Sequence, residues 1–82
     1  MGELTGIRMP KLSEFDEYKI LRFHRKVGDK VKRGEIFLDV LTDEGAERCV
    51  GFYLSGTIKE ITAKEGSYVR EDYLLGVMDE EK

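Results

Sequence analysis

Few residues of this 82-residue chain are of types that do chemistry, and their spacing limits what that chemistry can be. Asp43 and Glu44 open the stretch Asp43-Glu44-Gly45-Ala46. Two adjacent carboxylates with no histidine or further ligand close in sequence make a solvated turn, so no metal is expected there. His24 lies among Arg22, Arg25 and Lys26 and could touch a phosphate, but it stands alone and reads as an exposed strand residue. Cys49 is the only cysteine; it cannot close an intramolecular disulfide, and of its neighbours in sequence only Arg48 would lower its pKa. With no serine or cysteine next to a base, no catalytic residue is expected and the chain does not read as an enzyme. A second acidic stretch, Glu14-Phe15-Asp16-Glu17-Tyr18, sets aromatic side chains among carboxylates, a pattern suited to contact with a protein partner. Between Lys19 and Arg33 the basic residues interleave with Phe23 and His24, which could form a stacking platform for a nucleic acid. That segment reads first as a solubilising surface, so a nucleic acid is not the expected partner and a small polyanion-binding protein is an alternative.

The elements that must hold these residues have the period of strands. Tyr18, Ile20 and Phe23; Val31, Ile36, Leu38 and Val40; Thr57, Ile58 and Ile61; and Val69, Leu74 and Val77 form short apolar or β-branched runs separated by glycines and acidic turns. No stretch sustains a helical period, and Pro10 lies near the N-terminus, where it can begin or end an edge strand. No apolar run is long enough to cross a membrane or form a signal-peptide core, which, with the unpaired cysteine, makes the cytoplasm the expected compartment. The length suits one domain, expected as a monomer.

Shifted by 38 residues, Lys19–Val31 falls on Thr57–Val69, matching Ile20 with Ile58, Lys26 with Lys64, Gly28 with Gly66 and Val31 with Val69. The register continues to Ile36 on Leu74, Phe37 on Leu75 and Val40 on Met78. Two copies of a unit with one apolar face bury those faces against each other, which predicts an all-β sandwich or flattened barrel with approximate two-fold symmetry, its halves about residues 7–41 and 46–78. Gly28 and Gly66 sit where a turn needs positive φ, and Gly34 corresponds to Asp72, a residue that tolerates the left-handed region. Asp43-Glu44-Gly45 fits a three-residue hairpin loop: a type I turn closed by a left-handed Gly45.

Several motifs resemble the biotinyl/lipoyl carrier family, and lipoyl domains of 2-oxo acid dehydrogenase acyltransferases in particular. Met9-Pro10-Lys11-Leu12-Ser13-Glu14 is similar to their opening M-P-K-L, Val27-Gly28-Asp29-Lys30-Val31 through Gly34-Glu35 to their E-G-D-x-V-x-x-G-E turn, and Ser55-Gly56 to their closing D-G. The likeness runs from about Ile7 to Met78 and implies a barrel-sandwich hybrid of two four-stranded sheets with a carrier lysine at a hairpin tip. In that family the tip reads D-K-A; counting from Asp43 puts Glu44 at the lysine position, and counting back from Gly56 puts Gly45 there. The resemblance therefore implies a degenerate attachment hairpin at Asp43, Glu44, Gly45 and Ala46, with no cofactor expected. The function expected is a non-catalytic interaction or structural module, presenting that tip and Glu14–Tyr18 to a protein partner of a 2-oxo acid dehydrogenase-like or carboxylase system. The alternative is a true carrier of lipoate or biotin.

Overall fold

The computed structural model describes residues 3–12 and 17–81, which form eight strands and no helix: β1 (Glu3–Arg8), β2 (Glu17–Phe23), β3 (Lys30–Val31), β4 (Ile36–Thr42), β5 (Glu47–Gly51), β6 (Gly56–Ile61), β7 (Tyr68–Arg70) and β8 (Leu74–Glu80). They pair into two four-stranded antiparallel sheets, ordered β1-β8-β6-β3 and β5-β4-β2-β7. This is the expected barrel-sandwich architecture. Side chains alternate across each strand, so every second residue points between the sheets. There Ile7, Met9, Tyr18, Ile20, Val31, Phe37, Val40, Ile58, Leu75 and Met78 are almost wholly removed from water.

The repeat read from the sequence is present in the hydrogen bonding. Lys19 pairs with Tyr68 on one side of the molecule and Thr57 with Lys30 on the other. The Gly28 amide donates to the Ile58 carbonyl at 2.8 Å, and its counterpart Gly66 donates to Ile20 at 2.7 Å. Gly28, Gly66, Gly34 and Asp72 all have positive φ, at 97°, 86°, 95° and 72°. A bulge interrupts β2 between Ile20 and Arg22 and recurs in β6 between Ile58 and Glu60. Each bulge turns the following residue outward, which places Arg22 on the outer face of its sheet.

The first strand of the repeat escapes the 38-residue shift. Ile7 is opposite Gly76 and Val50 is opposite Leu38, so β1 and β5 are equivalent at an offset of 43. The connection from β1 to β2 is longer than that from β5 to β6, and a fixed shift cannot register both.

Candidate functional site

The tip joining β4 to β5 is a finished turn. The Gly45 amide donates to the Thr42 carbonyl at 2.9 Å, the Thr42 amide to the Ala46 carbonyl at 2.9 Å, and the Ala46 amide to Thr42 Oγ1 at 3.2 Å. Gly45 has φ 82°, so the hairpin turn closes on the expected left-handed glycine. Thr42 is buried and pins the base of the hairpin, while Asp43, Glu44 and Gly45 are exposed and Ala46 is half-buried. Chemically the apex offers two carboxylates and no amine.

The acidic stretch before β2 is only partly in view, since Glu14, Phe15 and Asp16 lie outside the described residues. Glu17 opens β2 next to the tip, where Tyr18 pairs with Thr42, and its carboxylate is 3.8 Å from Arg70 Nε. Tyr18 is not available to a partner. Its ring is fully buried between the sheets and its hydroxyl accepts the Leu12 amide at 3.0 Å, because a large side chain on the inward face of β2 is drawn into the core. Phe23 is no stacking platform either: it packs on Phe37 at 5.5 Å between centroids, and Phe37 in turn meets Phe52 at 4.7 Å.

Further along β4 lies a cluster that spacing alone did not reveal. Asp39 is 7% exposed, and its Oδ2 accepts from Arg22 Nη1 at 2.5 Å and lies 2.9 Å from His24 Nε2. Its other oxygen, Oδ1, is buried, and the carboxylate also interacts with the Cys49 thiol. Cys49 faces Asp39 across the β4–β5 pair, and Arg22 also reaches Glu47 at 3.6 Å. His24, Arg25, Glu35, Ile36, Asp39 and Cys49 line an open cleft of about 400 Å³.

His24 therefore does not stand alone. Its hydrogen bond is the main cause holding Asp39 below the usual carboxylate range, aided by Cys49 and Arg22 and opposed by burial. In turn Asp39 pushes the Cys49 thiol up, chiefly through their side-chain interaction and further through burial and through charge, to which Glu47 adds. Arg48 does not set the thiol's environment, because adjacent strand residues point to opposite faces, whereas Asp39, the cross-strand partner, shares the face of Cys49. The available signal was a charged residue, Asp39, inside the apolar run Phe37-Leu38-Asp39-Val40. Glu35 is also held low, first by the Lys32 amide and then by Arg25, whose Nη2 donates to it at 3.2 Å.

Among the described residues no group of three or more His, Cys, Asp or Glu side chains could hold a metal ion. Residues 5–78 match the biotin/lipoyl family described as biotin-requiring enzymes. The chain belongs to the biotin/lipoyl domain family. It is similar to the lipoyl domain of the 2-oxoglutarate dehydrogenase complex from Azotobacter vinelandii, with a TM-score of 0.70 and 29% identity over 93% of this chain and 99% of that domain. No curated protein matches it in sequence.

Proposed function

We propose that this member of the biotin/lipoyl family works as a protein-contact module and not as a carrier of a covalent arm. The observation that carries the reading is the tip. It is a three-residue loop closed by the hydrogen bonds of Thr42, Gly45 and Ala46, and its exposed apex is Asp43-Glu44-Gly45. Family members normally bear lipoate or biotin through an amide, which needs a nucleophilic amine presented to an acyl-adenylate. A carboxylate cannot form that bond, and no lysine occurs between Lys32 and Lys59. The residues at the tip do not fit the group.

What remains is an exposed acidic knob next to Glu17 at the start of β2, suited to a protein partner that offers cationic or hydrogen-bond-donating groups. A component of a 2-oxo acid dehydrogenase-like or carboxylase assembly is the partner we favour, on the strength of the fold. The second reading, a genuine carrier using another lysine, draws on the similarity to a lipoyl domain.

Incubation with lipoate ligase, lipoate and ATP, and separately with biotin ligase and biotin, distinguishes the two by intact mass. The contact-module reading expects no gain. Mass added at any native lysine overturns it. Deleting Glu44 together with Gly45→Lys restores an amine between Asp43 and Ala46, and this variant should accept at least some lipoate, because the surrounding hairpin geometry is already in place.

A further inference from the structure

Residues that alternate along a strand face opposite sides of its sheet, so with Tyr18, Thr42 and Val69 buried their neighbours Lys19, Leu41 and Tyr68 point outward. Register places Tyr68 opposite Lys19, Lys19 opposite Leu41 and Leu41 opposite Glu47. Together they make one row across β7, β2, β4 and β5, next to the tip: an aromatic ring, a cation, a leucine and a carboxylate. Tyr68 is 61% exposed, and its side chain has neither a hydrogen bond nor a ring partner among the described residues. Tyr53, by contrast, donates its hydroxyl to the Gly6 carbonyl at 3.1 Å, and Tyr18 belongs to the core. Lys19 has no ion-pair partner among the described residues, while Glu47 lies 3.6 Å from Arg22.

The other sheet carries the same row with different chemistry. Lys30, Thr57, Asp79 and Leu4 take the places of Tyr68, Lys19, Leu41 and Glu47, Leu4 is the one large apolar member, and Lys30 lies 3.9 Å from Glu81. The fold therefore needs neither an aromatic at position 68 nor a leucine at 41. A ring left in water without an intramolecular partner, set near a leucine and bordered by charges, has the makeup of a protein contact patch, an aromatic anchor within a polar rim.

We propose that this row docks one α-helix of the protein partner, laid across the strands. The inference rests on the contact-module reading and names the surface that such a partner offers. Strands lie about 4.8 Å apart and a helix advances about 5.4 Å per turn, so the three strand spacings of the row, about 14 Å, nearly coincide with three helical turns, about 16 Å. An extended segment repeats its same-face residues every 6.7 Å or so and would overshoot, at about 20 Å over three repeats. The helix places an apolar side chain on Tyr68, a carboxylate at i+4 on Lys19, an apolar side chain at i+7 on Leu41 and a cation at i+11 on Glu47. Its flank facing the tip carries further lysine or arginine, complementary to Asp43 and Glu44, which are exposed one step along the hairpin from Thr42.

The test titrates isotope-labelled chain with an alanine-based peptide of roughly 20 residues, long enough to be helical in water, bearing leucine, glutamate, leucine and lysine at those four positions and lysines on one flank. A control peptide of the same composition exchanges the glutamate and the lysine. Amide shifts should fall on the row and the tip, and the matched peptide should bind about tenfold more tightly than the control, the factor a pair of reversed contacts supplies. Tyr68→Ala should weaken the matched peptide about tenfold or more, as truncation of an aromatic anchor does. Lys19→Glu should reverse the preference between the peptides, and Lys30→Ala, in the equivalent row, should leave it unchanged. Equal affinity for the two peptides, no binding of the matched one, or shifts on the row from Lys30 to Leu4 overturns the proposal. So does binding that Asp43→Asn with Glu44→Gln abolishes and Tyr68→Ala leaves intact, a contact confined to the tip. Ligase treatment tests the contact-module reading and this titration tests the row, so either can fail alone.

Discussion

On the outer face of one sheet, position 39 carries a buried aspartate paired with Arg22; at the equivalent place in the other sheet, Val77 is paired with Glu60. Cys49, opposite Asp39, corresponds to Gly6, opposite Val77. The backbone around the two sites is the same down to the bulge, so the charged cluster is not what holds the strands in register. Inside the molecule the halves also differ. Tyr18 and Leu38 fill the core from one sheet where the other has Gly56 and Gly76. A Cβ on Gly76 would fall 2.5 Å from the Glu60 carbonyl oxygen, and one on Gly56 would collide with that of Asp79. One half fills its share of the core with side chains, and the other lets backbone approach backbone. The comparison teaches that turns, bulges and inward apolar positions carry the fold, leaving the outer faces free to diverge.

The comparison breaks most sharply in the core. Tyr18→Ala should destabilise by about 3 to 5 kcal/mol, and Ile20→Ala and Ile58→Ala by about 2 to 5 kcal/mol each, measured by urea unfolding. Equal effects at the two isoleucines support the symmetry of the inner faces, and a loss confined to one half contradicts it. Gly56→Ala comes next, at about 1 to 3 kcal/mol or more, because the clash is with main chain that cannot rotate away.

The outer faces are compared by exchanging their chemistry. Asp39→Asn should cost about 1 to 3 kcal/mol through its bonds to Arg22 and His24. Val77→Asp should also destabilise, since Glu60 faces it, and Glu60→Arg added to Val77→Asp should recover part of the loss. A double mutant no better than the single would show that the Arg22–Asp39 pair depends on more than its cross-strand register.

A smaller effect is expected from pH. Asp39 and Glu35 have folded-state pKa values below their ordinary ones, so the stability they contribute is complete at neutral pH, above the unfolded carboxylate values near 4. It is lost as pH falls through that range toward their lower folded values. Urea midpoints of the wild type should therefore decline below about pH 5, and Asp39→Asn should flatten part of that decline. Smallest of all, Glu44→Ala should change stability by no more than about 0.5 kcal/mol, because the apex side chain is exposed and the turn is held by Thr42, Gly45 and Ala46.

Much of this was legible in the chain. The 38-residue repeat, the paired Gly28 and Gly66, the left-handed Asp72 and the three-residue tip all follow from spacing and from which residues tolerate positive φ, which are local matters. The amine-free tip is likewise written in Asp43-Glu44-Gly45-Ala46. Where the reading failed, the deciding partner was remote in sequence. Tyr18, grouped with an acidic contact loop, is a core residue because of the face of β2 on which it falls. His24 and Cys49, read as solitary, share a carboxylate brought to them by pairing of β4 with β2 and β5. Sequence fixes local turn conformation because it is set by the residues themselves, whereas the Asp39 cluster exists only once cross-strand register and a bulge aim three separate strand segments at one place.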